Sequence, residues 1–123
     1  MNGNSIAIDE RFLTDWSGLQ VGLPREVHRP RTTAEVAELV RRCHAEGLSI
    51  TVQGGLTGMA GGAVPGEGDV VINLERMNAI EDIDVLEGVM QVQAGATLLQ
   101  VQEAAAATGW MFAVDFGARG SCQ

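Results

Sequence analysis

A glycine-dense stretch is the part of the sequence best suited to chemistry. From Gln53 to Pro65 it reads Gln-Gly-Gly-Leu-Thr-Gly-Met-Ala-Gly-Gly-Ala-Val-Pro, and five of the nine residues from Gly54 to Gly62 are glycine. Such density marks a backbone that needs positive φ angles or a close approach by another group. The preceding apolar alternation from Leu48 to Val52 predicts a strand. A glycine loop leaving a strand gathers backbone N–H groups into one concavity, which favours an anion and above all a phosphate.

The surroundings of this loop limit how it could hold an anion. Residues 53–68 contain no Lys or Arg, and the whole chain has no Lys. A bound anion would therefore rest on main-chain N–H groups and on the hydroxyl of Thr57. This arrangement suits a pyrophosphate in a preformed site, whereas the Gly-Lys-[Ser/Thr] signature of phosphoryl-transfer loops is missing. Composition alone leaves open a loop that is only structural.

Charge and composition exclude several classes of partner. The chain has 123 residues, 46% of them hydrophobic, which fits one globular domain with a modest core. Sixteen acidic against eight basic residues give a net charge of −8. This charge repels nucleic acid and anionic membrane surfaces. Aromatic residues are only 4%, which further disfavours base stacking.

The cysteines and histidines give no metal-binding pattern. Cys43 and Cys122 are the only cysteines, and they stand far apart without a ligand-type spacing. With no signal peptide and no transmembrane stretch in this sequence, we expect two free thiols, a cytoplasmic location and no metal. His28 lacks an evident partner and is interpreted as a surface or strand residue. His44 is placed in the last turn of a helix.

Two capping boxes predict the helices that flank the loop. Thr32 and Glu35 begin a helix over 33–46, which carries Cys43 on its apolar stripe and ends before Gly47. A second box at Thr97 begins a helix that stops at Gly109.

Strands are predicted between and after these helices. The segments are 48–53, 69–74, 80–86, 89–92 and 110–114, with a hairpin turn at Glu87-Gly88. Near the N-terminus we expect a helical turn from Arg11 to Trp16, with Trp16 anchoring it to the core. Together these elements predict an α+β fold of mixed sheets flanked by helices.

Four ordered segments resemble one family. All four are similar to the vanillyl-alcohol-oxidase type of FAD-binding domain. They are the glycine stretch, the pair Leu74–Asn78 and Val92–Gly95, the segment Asp115–Gln123 and the helix entry at 29–36. Within this type of domain they resemble the branch of FAD-linked D-lactate and D-2-hydroxyglutarate dehydrogenases and glycolate oxidase subunits. The resemblance extends over nearly the whole chain from Leu13 onward.

The resemblance implies a type-2 (PCMH-like) FAD-binding domain. Residues 1–24 would be an N-terminal arm, and residues 25–123 the N-terminal part of a domain whose remainder, like the substrate domain, is absent. The resemblance assigns FAD contacts, by motif position, to Gln53, Gly54, Gly55, Leu56, Thr57, Gly58, Met59, Gly62, Ala94, Gly95, Gly117, Ser121 and Cys122. Position 56 is usually Asn in the branch, so Leu56 removes a polar side chain beside the cofactor. Because Thr57 stands near the place where tethering relatives carry His, we expect non-covalent FAD.

The implied activity is the oxidation of a D-2-hydroxy acid of the lactate, glycolate or 2-hydroxyglutarate type to a 2-oxo acid, with hydride transfer to FAD. The resemblance places no catalytic residue in this part of the protein, so we expect the chain alone to be inactive. Its unfinished sheets would leave edges free to pair between copies. Two alternatives stay open: a catalytically silent binding module, or an FAD oxidase of the same superfamily acting on another alcohol.

Overall fold

A four-stranded sheet forms the centre of the protein in a computed structural model that describes residues 4–123. Its strands are β1 (Ser5–Ile6), β2 (Glu26–His28), β3 (Ile50–Gln53) and β4 (Val70–Asn73). They lie in the order β1-β2-β4-β3, with β1 antiparallel to β2 and the other pairs parallel. The strands predicted at 48–53 and 69–74 are thereby confirmed in shorter form.

The core lies on the central strands of this sheet. All four residues of β4 are buried, as expected for a parallel strand covered on both faces. Val27 of β2 pairs with Val71 of β4, and both are fully buried beside Phe12. Ile6 and Leu56 pack against this cluster from its edges. The N-terminal segment and the glycine loop therefore both contact the core of the sheet.

Helix α1 (Thr33–Glu46) connects β2 to β3 and begins and ends where the sequence predicts. Both hydrogen bonds of the Thr32/Glu35 capping box are present, and Gly47 closes the helix in the left-handed region at φ 66°. Cys43 is fully buried, which confirms its place in the core. Burial raises the pKa of its thiol, so this cysteine is a poor nucleophile.

A separate antiparallel hairpin follows the sheet. Its strands are β5 (Ile80–Asp84) and β6 (Val89–Val92), and Gly88 takes a φ of 67° in the turn between them. Helix α2 (Leu98–Ala107) comes next, with the predicted Thr97/Gln100 capping box complete. Among the described residues, no helix has the length and apolar character to cross a membrane.

The predicted strand at 110–114 is wrong. Residues 110–114 form no strand, and all five are exposed. The Nε1–H of Trp110 instead donates to the carbonyl of Val85 at 2.9 Å, and a cavity runs beside Trp110, Met111 and Phe112 towards β6 and α2. The segment has the apolar pattern of a strand, but no neighbouring strand in the described residues pairs with it.

The N-terminal anchor is also different from the prediction. Trp16 is 60% exposed, whereas Phe12 is 3% exposed and packs in the core. The helical turn is a 3-10 turn at Glu10–Phe12, capped by Asp9, and so lies earlier than the predicted 11–16. Phe12 enters the core because this shorter turn directs it there, which leaves Trp16 beyond the turn.

Candidate functional site

Buried amide side chains fix both ends of the glycine loop. At its start, Gln53 Nε2 donates to the carbonyls of Phe12 at 2.8 Å and Ala63 at 2.9 Å. From the neighbouring strand, Asn73 Nδ2 donates to the carbonyl of Gly54 at 3.4 Å. Gln53 and Asn73 are both fully buried. Since a buried amide needs its hydrogen bonds, these contacts define where the loop leaves the sheet.

The middle of the loop has backbone donors without protein acceptors. None of the N–H groups from Gly54 to Ala60 donates a hydrogen bond to another residue in the range 4–123, and the Thr57 hydroxyl makes none there either. Native backbone N–H groups are nearly always paired with protein, water or a ligand. The segment is therefore equipped to receive an acceptor from outside the chain.

Asp15 fixes the far side of the loop. Its carboxylate accepts hydrogen bonds from the N–H of Ser17 at 2.8 Å and from the N–H of Gly61 at 3.1 Å. Hydrogen bonds from Ser17 and then from Gly61 hold the pKa of Asp15 below its usual value. The carboxylate is thus kept ionised as a bridge between the N-terminal segment and the loop.

Leu56 adopts an unusual backbone conformation within the loop. Its φ is 60°, and it is the one non-glycine residue with positive φ among residues 4–123. Left-handed geometry is uncommon for a residue with a branched apolar side chain. The side chain is partly buried against the Phe12 cluster, so core packing holds this conformation.

The segment 117–123 packs directly on the loop. A side-chain atom at Gly55 would overlap the Ser121 carbonyl, and one at Gly54 would lie 3.3 Å from the Gln123 side chain. The absence of side chains at these two glycines is therefore what lets the segment approach. The same segment caps α2, because the N–H groups of Leu98 and Leu99 donate to carbonyls at 122 and 119, at 2.9 and 2.8 Å.

Gly95 forms a third close contact. Its N–H donates to the carbonyl of Met77 at 2.7 Å. A methyl group at this position would overlap the carbonyl of Leu74. The turn that precedes α2 is consequently packed against the turn that follows β4.

These three segments line one open cleft of about 450 Å³. Its walls contain backbone and side chains of Arg11, Arg29, Gly55, Glu75, Asn78, Gly95, Thr97, Gln100, Gly120, Ser121 and Gln123. Three of the residues predicted as contacts, Gly55, Gly95 and Ser121, meet in this wall. They come from three of the four motifs, so the fold brings the motifs together.

The other predicted contacts do not line the cleft. Gly54, Leu56 and Thr57 are partly buried beside it, while Gln53 is buried beneath the loop. Met59 is 71% exposed, and Gly58, Gly62, Ala94 and Gly117 are also exposed. Cys122 is half-buried, with its Sγ 3.9 Å from the carbonyl of Gln123.

The sequence interpretation missed two arginines at this cleft. Arg11 and Arg29 both donate to the carboxylate of Glu75, and all three side chains lie in the cleft wall. No local signal could have shown this, because the partners are 64 and 46 residues apart in the chain. No group of three or more His, Cys, Asp or Glu side chains suited to a metal occurs within residues 4–123.

Comparisons with known proteins agree on one family. The model of a family described as the FAD binding domain matches residues 24–123. A mitochondrial protein of Schizosaccharomyces pombe with the provisional name D-lactate dehydrogenase is 37% identical over 114 residues, covering 93% of this chain and 22% of the relative. D-2-hydroxyglutarate dehydrogenase of Xanthomonas citri is 37% identical over 113 residues, covering 92% of this chain and 24% of the relative. The chain therefore spans only about a quarter or less of these relatives.

A solved structure extends the likeness to the fold. 6-Hydroxy-D-nicotine oxidase from Arthrobacter nicotinovorans superposes with a TM-score of 0.75 at 26% identity, over 89% of this chain and 24% of the oxidase. This match confirms the fold class predicted from the sequence, mixed sheets flanked by helices.

Proposed function

Because this chain belongs to the FAD-binding domain family, with FAD as its cofactor, we propose that it is the N-terminal part of the FAD-binding domain of a dehydrogenase acting on a D-2-hydroxy acid. The proposed reaction converts a lactate-, glycolate- or 2-hydroxyglutarate-type acid to the 2-oxo acid. The names of the two dehydrogenases described above support this substrate class. In this proposal residues 1–24 act as an arm and 25–123 belong to the domain proper.

One observation carries the proposed site: the run of N–H groups from Gly54 to Ala60 that lack acceptors among residues 4–123. The phosphate oxygens of FAD are acceptors of the kind that this run lacks. Glycines at 55 and 95 also allow the motif segments to pack around one cleft, since a side chain at either position would overlap a backbone carbonyl of the neighbouring segment. The thirteen residues predicted from the motifs remain the proposed contacts.

The chemical contribution of these residues is binding and orientation. FAD supplies hydride acceptance when it is bound. The loop amides and the Thr57 hydroxyl would hold the diphosphate, while Asp15 and Gln53 keep the loop in position. We propose that FAD is attached non-covalently, because the loop contains no His, the residue to which tethering relatives attach flavin.

A titration of the purified chain with FAD, followed by quenching of flavin fluorescence, tests this function. Thr57→Val removes the hydroxyl at nearly constant shape and is expected to weaken binding, whereas Thr33→Val on the exposed start of α1 is the matched control. ADP should displace FAD because it carries the same diphosphate. A chain that folds but leaves flavin fluorescence unchanged would instead be the silent binding module.

The substrate class needs a test with the complete enzyme. Anaerobic addition of D-lactate, glycolate or D-2-hydroxyglutarate should bleach the flavin absorbance, and the L-enantiomers should not. Bleaching by another alcohol or an amine alone would support an oxidase of the same superfamily. The cytoplasmic location and pairing of copies through the edge strands β1 and β3 stay predictions, to be checked by localisation and light scattering.

A further inference from the structure

One carboxylate in the cleft wall is bound by two arginines. Arg11 Nη2 donates to both Glu75 oxygens, at 2.5 and 2.7 Å, and Arg29 Nη2 donates to Glu75 Oε2 at 2.7 Å. The guanidinium of Arg11 also lies over the ring of Phe12, 4.8 Å from its centre. Residues 11, 29 and 75 come from three separate segments that meet only in the folded chain.

This Arg11–Glu75–Arg29 cluster carries net positive charge. Two guanidinium groups against one carboxylate leave a single positive charge, and no other ionisable side chain of residues 4–123 lies in the cleft wall. The whole chain has a net charge of −8. A dianion approaching the cleft would otherwise meet an unfavourable field, and the positive cluster opposes this field where the glycine motifs meet.

Within the described part of the chain, the two guanidinium groups keep donors that no protein group accepts from. An arginine has five N–H groups, and Glu75 takes up only those on one terminal nitrogen of each side chain. The Arg11 side chain is 48% exposed and that of Arg29 is 21% exposed, so both remain accessible from the cleft. Because Glu75 already holds both groups, little side-chain entropy would be lost when an anion binds.

We propose that the Arg11–Glu75–Arg29 cluster attracts and binds the diphosphate of FAD, as a side-chain complement to the backbone donors of the glycine loop. The inference rests on the proposed function. It revises the expectation, drawn from the lysine-free loop, that the anion is held by main-chain groups and hydroxyls alone.

Titration of FAD into the Arg11→Gln and Arg29→Gln variants tests the cluster. Each variant should weaken FAD binding by about tenfold, the range for one hydrogen bond to a charged group. The loss should be largest at about 20 mM NaCl and small at about 500 mM NaCl, because salt screens the attraction. ADP displacement should weaken by the same factor. Arg41→Gln, on the exposed part of α1, is the matched control and should bind FAD as the parent does.

A second pair of variants tests whether the cluster acts on FAD through its charge or only supports the fold. Arg11→Lys keeps the charge and should retain most of the salt dependence. Glu75→Gln removes the competing carboxylate, so at low salt it should tighten FAD binding by about threefold if the cluster acts through its charge. A purely structural cluster would give weaker binding for Glu75→Gln at every salt concentration.

The outcomes distinguish the two proposals. If the folded parent chain binds no FAD, the proposed function fails and the cluster inference fails with it. If the parent binds FAD but the arginine variants match Arg41→Gln in affinity and salt dependence, only the cluster inference is overturned. Thermal unfolding of each variant shows whether it has folded, and Arg11→Gln, at an exposed position, gives the test if Arg29→Gln does not fold.

Discussion

The carboxylate of Asp15 accepts a hydrogen bond from the backbone N–H of Gly61 at 3.1 Å. This contact joins two parts of the chain whose sequences give no hint of each other, the segment after the 3-10 turn and the end of the glycine loop. Asp15 is almost completely buried at this position, with 6% of its surface exposed. The loop is therefore shaped partly by a residue outside the glycine motif.

Asp15→Ala is expected to weaken FAD binding several-fold with a smaller effect on folding, because the loop loses preorganisation rather than a core contact. Asp15→Asn should recover part of the affinity, since its carbonyl oxygen can still accept from Gly61. Flavin fluorescence titration measures both variants, and Asp82→Ala on the exposed surface of β5 is the control. Equal affinities for Asp15→Ala and Asp82→Ala would show that the contact does not shape the site.

Leu56→Asn is expected to tighten FAD binding. Asn tolerates the left-handed conformation at φ 60° better than Leu does, and it places a polar side chain beside the proposed cofactor site. The variant also loses apolar contact with the Phe12 cluster, so its unfolding free energy should change by less than about 1 kcal/mol in either direction.

Leu56→Gly serves as the comparison for this change. It relieves the backbone conformation without adding a polar group, so it should not tighten binding as Asn does. Isothermal titration with FAD distinguishes the two variants. Tighter binding by Gly than by Asn would mean that backbone strain, and not the missing polar side chain, limits affinity.

Gly95→Ala is expected to destabilise the chain by about 1–3 kcal/mol, the usual cost of overpacking. The added methyl group would overlap the carbonyl oxygen of Leu74, a backbone atom that cannot rotate away. A fall in melting temperature measures the effect. Gly120→Ala is the matched control, since a methyl group there meets nothing within 4 Å, and it should leave the melting temperature almost unchanged.

The free energy of unfolding should fall in acid because the Glu26 carboxylate becomes protonated. Hydrogen bonds from Arg42 and then His28 lower the pKa of this carboxyl to about 2, from 4.5 in the unfolded chain. Because the folded pKa is the lower one, the stabilisation is complete above about pH 4.5 and disappears as the pH falls through about 2. His28 lies in β2, in agreement with its interpretation as a strand residue, but it is not at the surface, with 3% exposed, and it has Glu26 as its partner at 2.6 Å.

Urea unfolding from neutral pH to about pH 2.5 measures this dependence. Glu26→Gln should cost about 1–3 kcal/mol at neutral pH and flatten the curve on its acid side. The control is Glu38→Gln, at an exposed position on α1. An acid transition of unchanged steepness in Glu26→Gln would contradict the assignment.

Features encoded within a few residues could be predicted from the sequence. The Thr32/Glu35 and Thr97/Gln100 capping boxes each use partners three positions apart, so the helices that they begin were predictable. Gly88 marked the hairpin in the same way, because its positive φ is a local requirement. The dense glycines from Gly54 to Gly62 likewise predicted a loop directly after β3.

Features that depend on distant partners could not be predicted. The apolar run from Trp110 to Val114 suits a strand, but a strand forms only beside another strand, and the sequence does not say which one is near. Glu75 and its arginines illustrate the same limit at the site, since nothing in their spacing indicates that they meet. The anchoring role fell to Phe12 and not Trp16 because the position of one short turn decided which aromatic ring faces the core.

The packing of the segment 117–123 on Gly55 has a consequence for synthesis. The glycine loop ends at position 65 and β4 at position 73, so both leave the ribosome more than forty residues before the segment 117–123 that closes the cleft. Until that segment has been made, water must solvate the loop amides, and the first turn of α2 lacks the carbonyls of Arg119 and Cys122 that cap it. The nascent chain thus has its sheet before the cleft closes, so we expect the proposed FAD site to form only after residues 117–123 have been made.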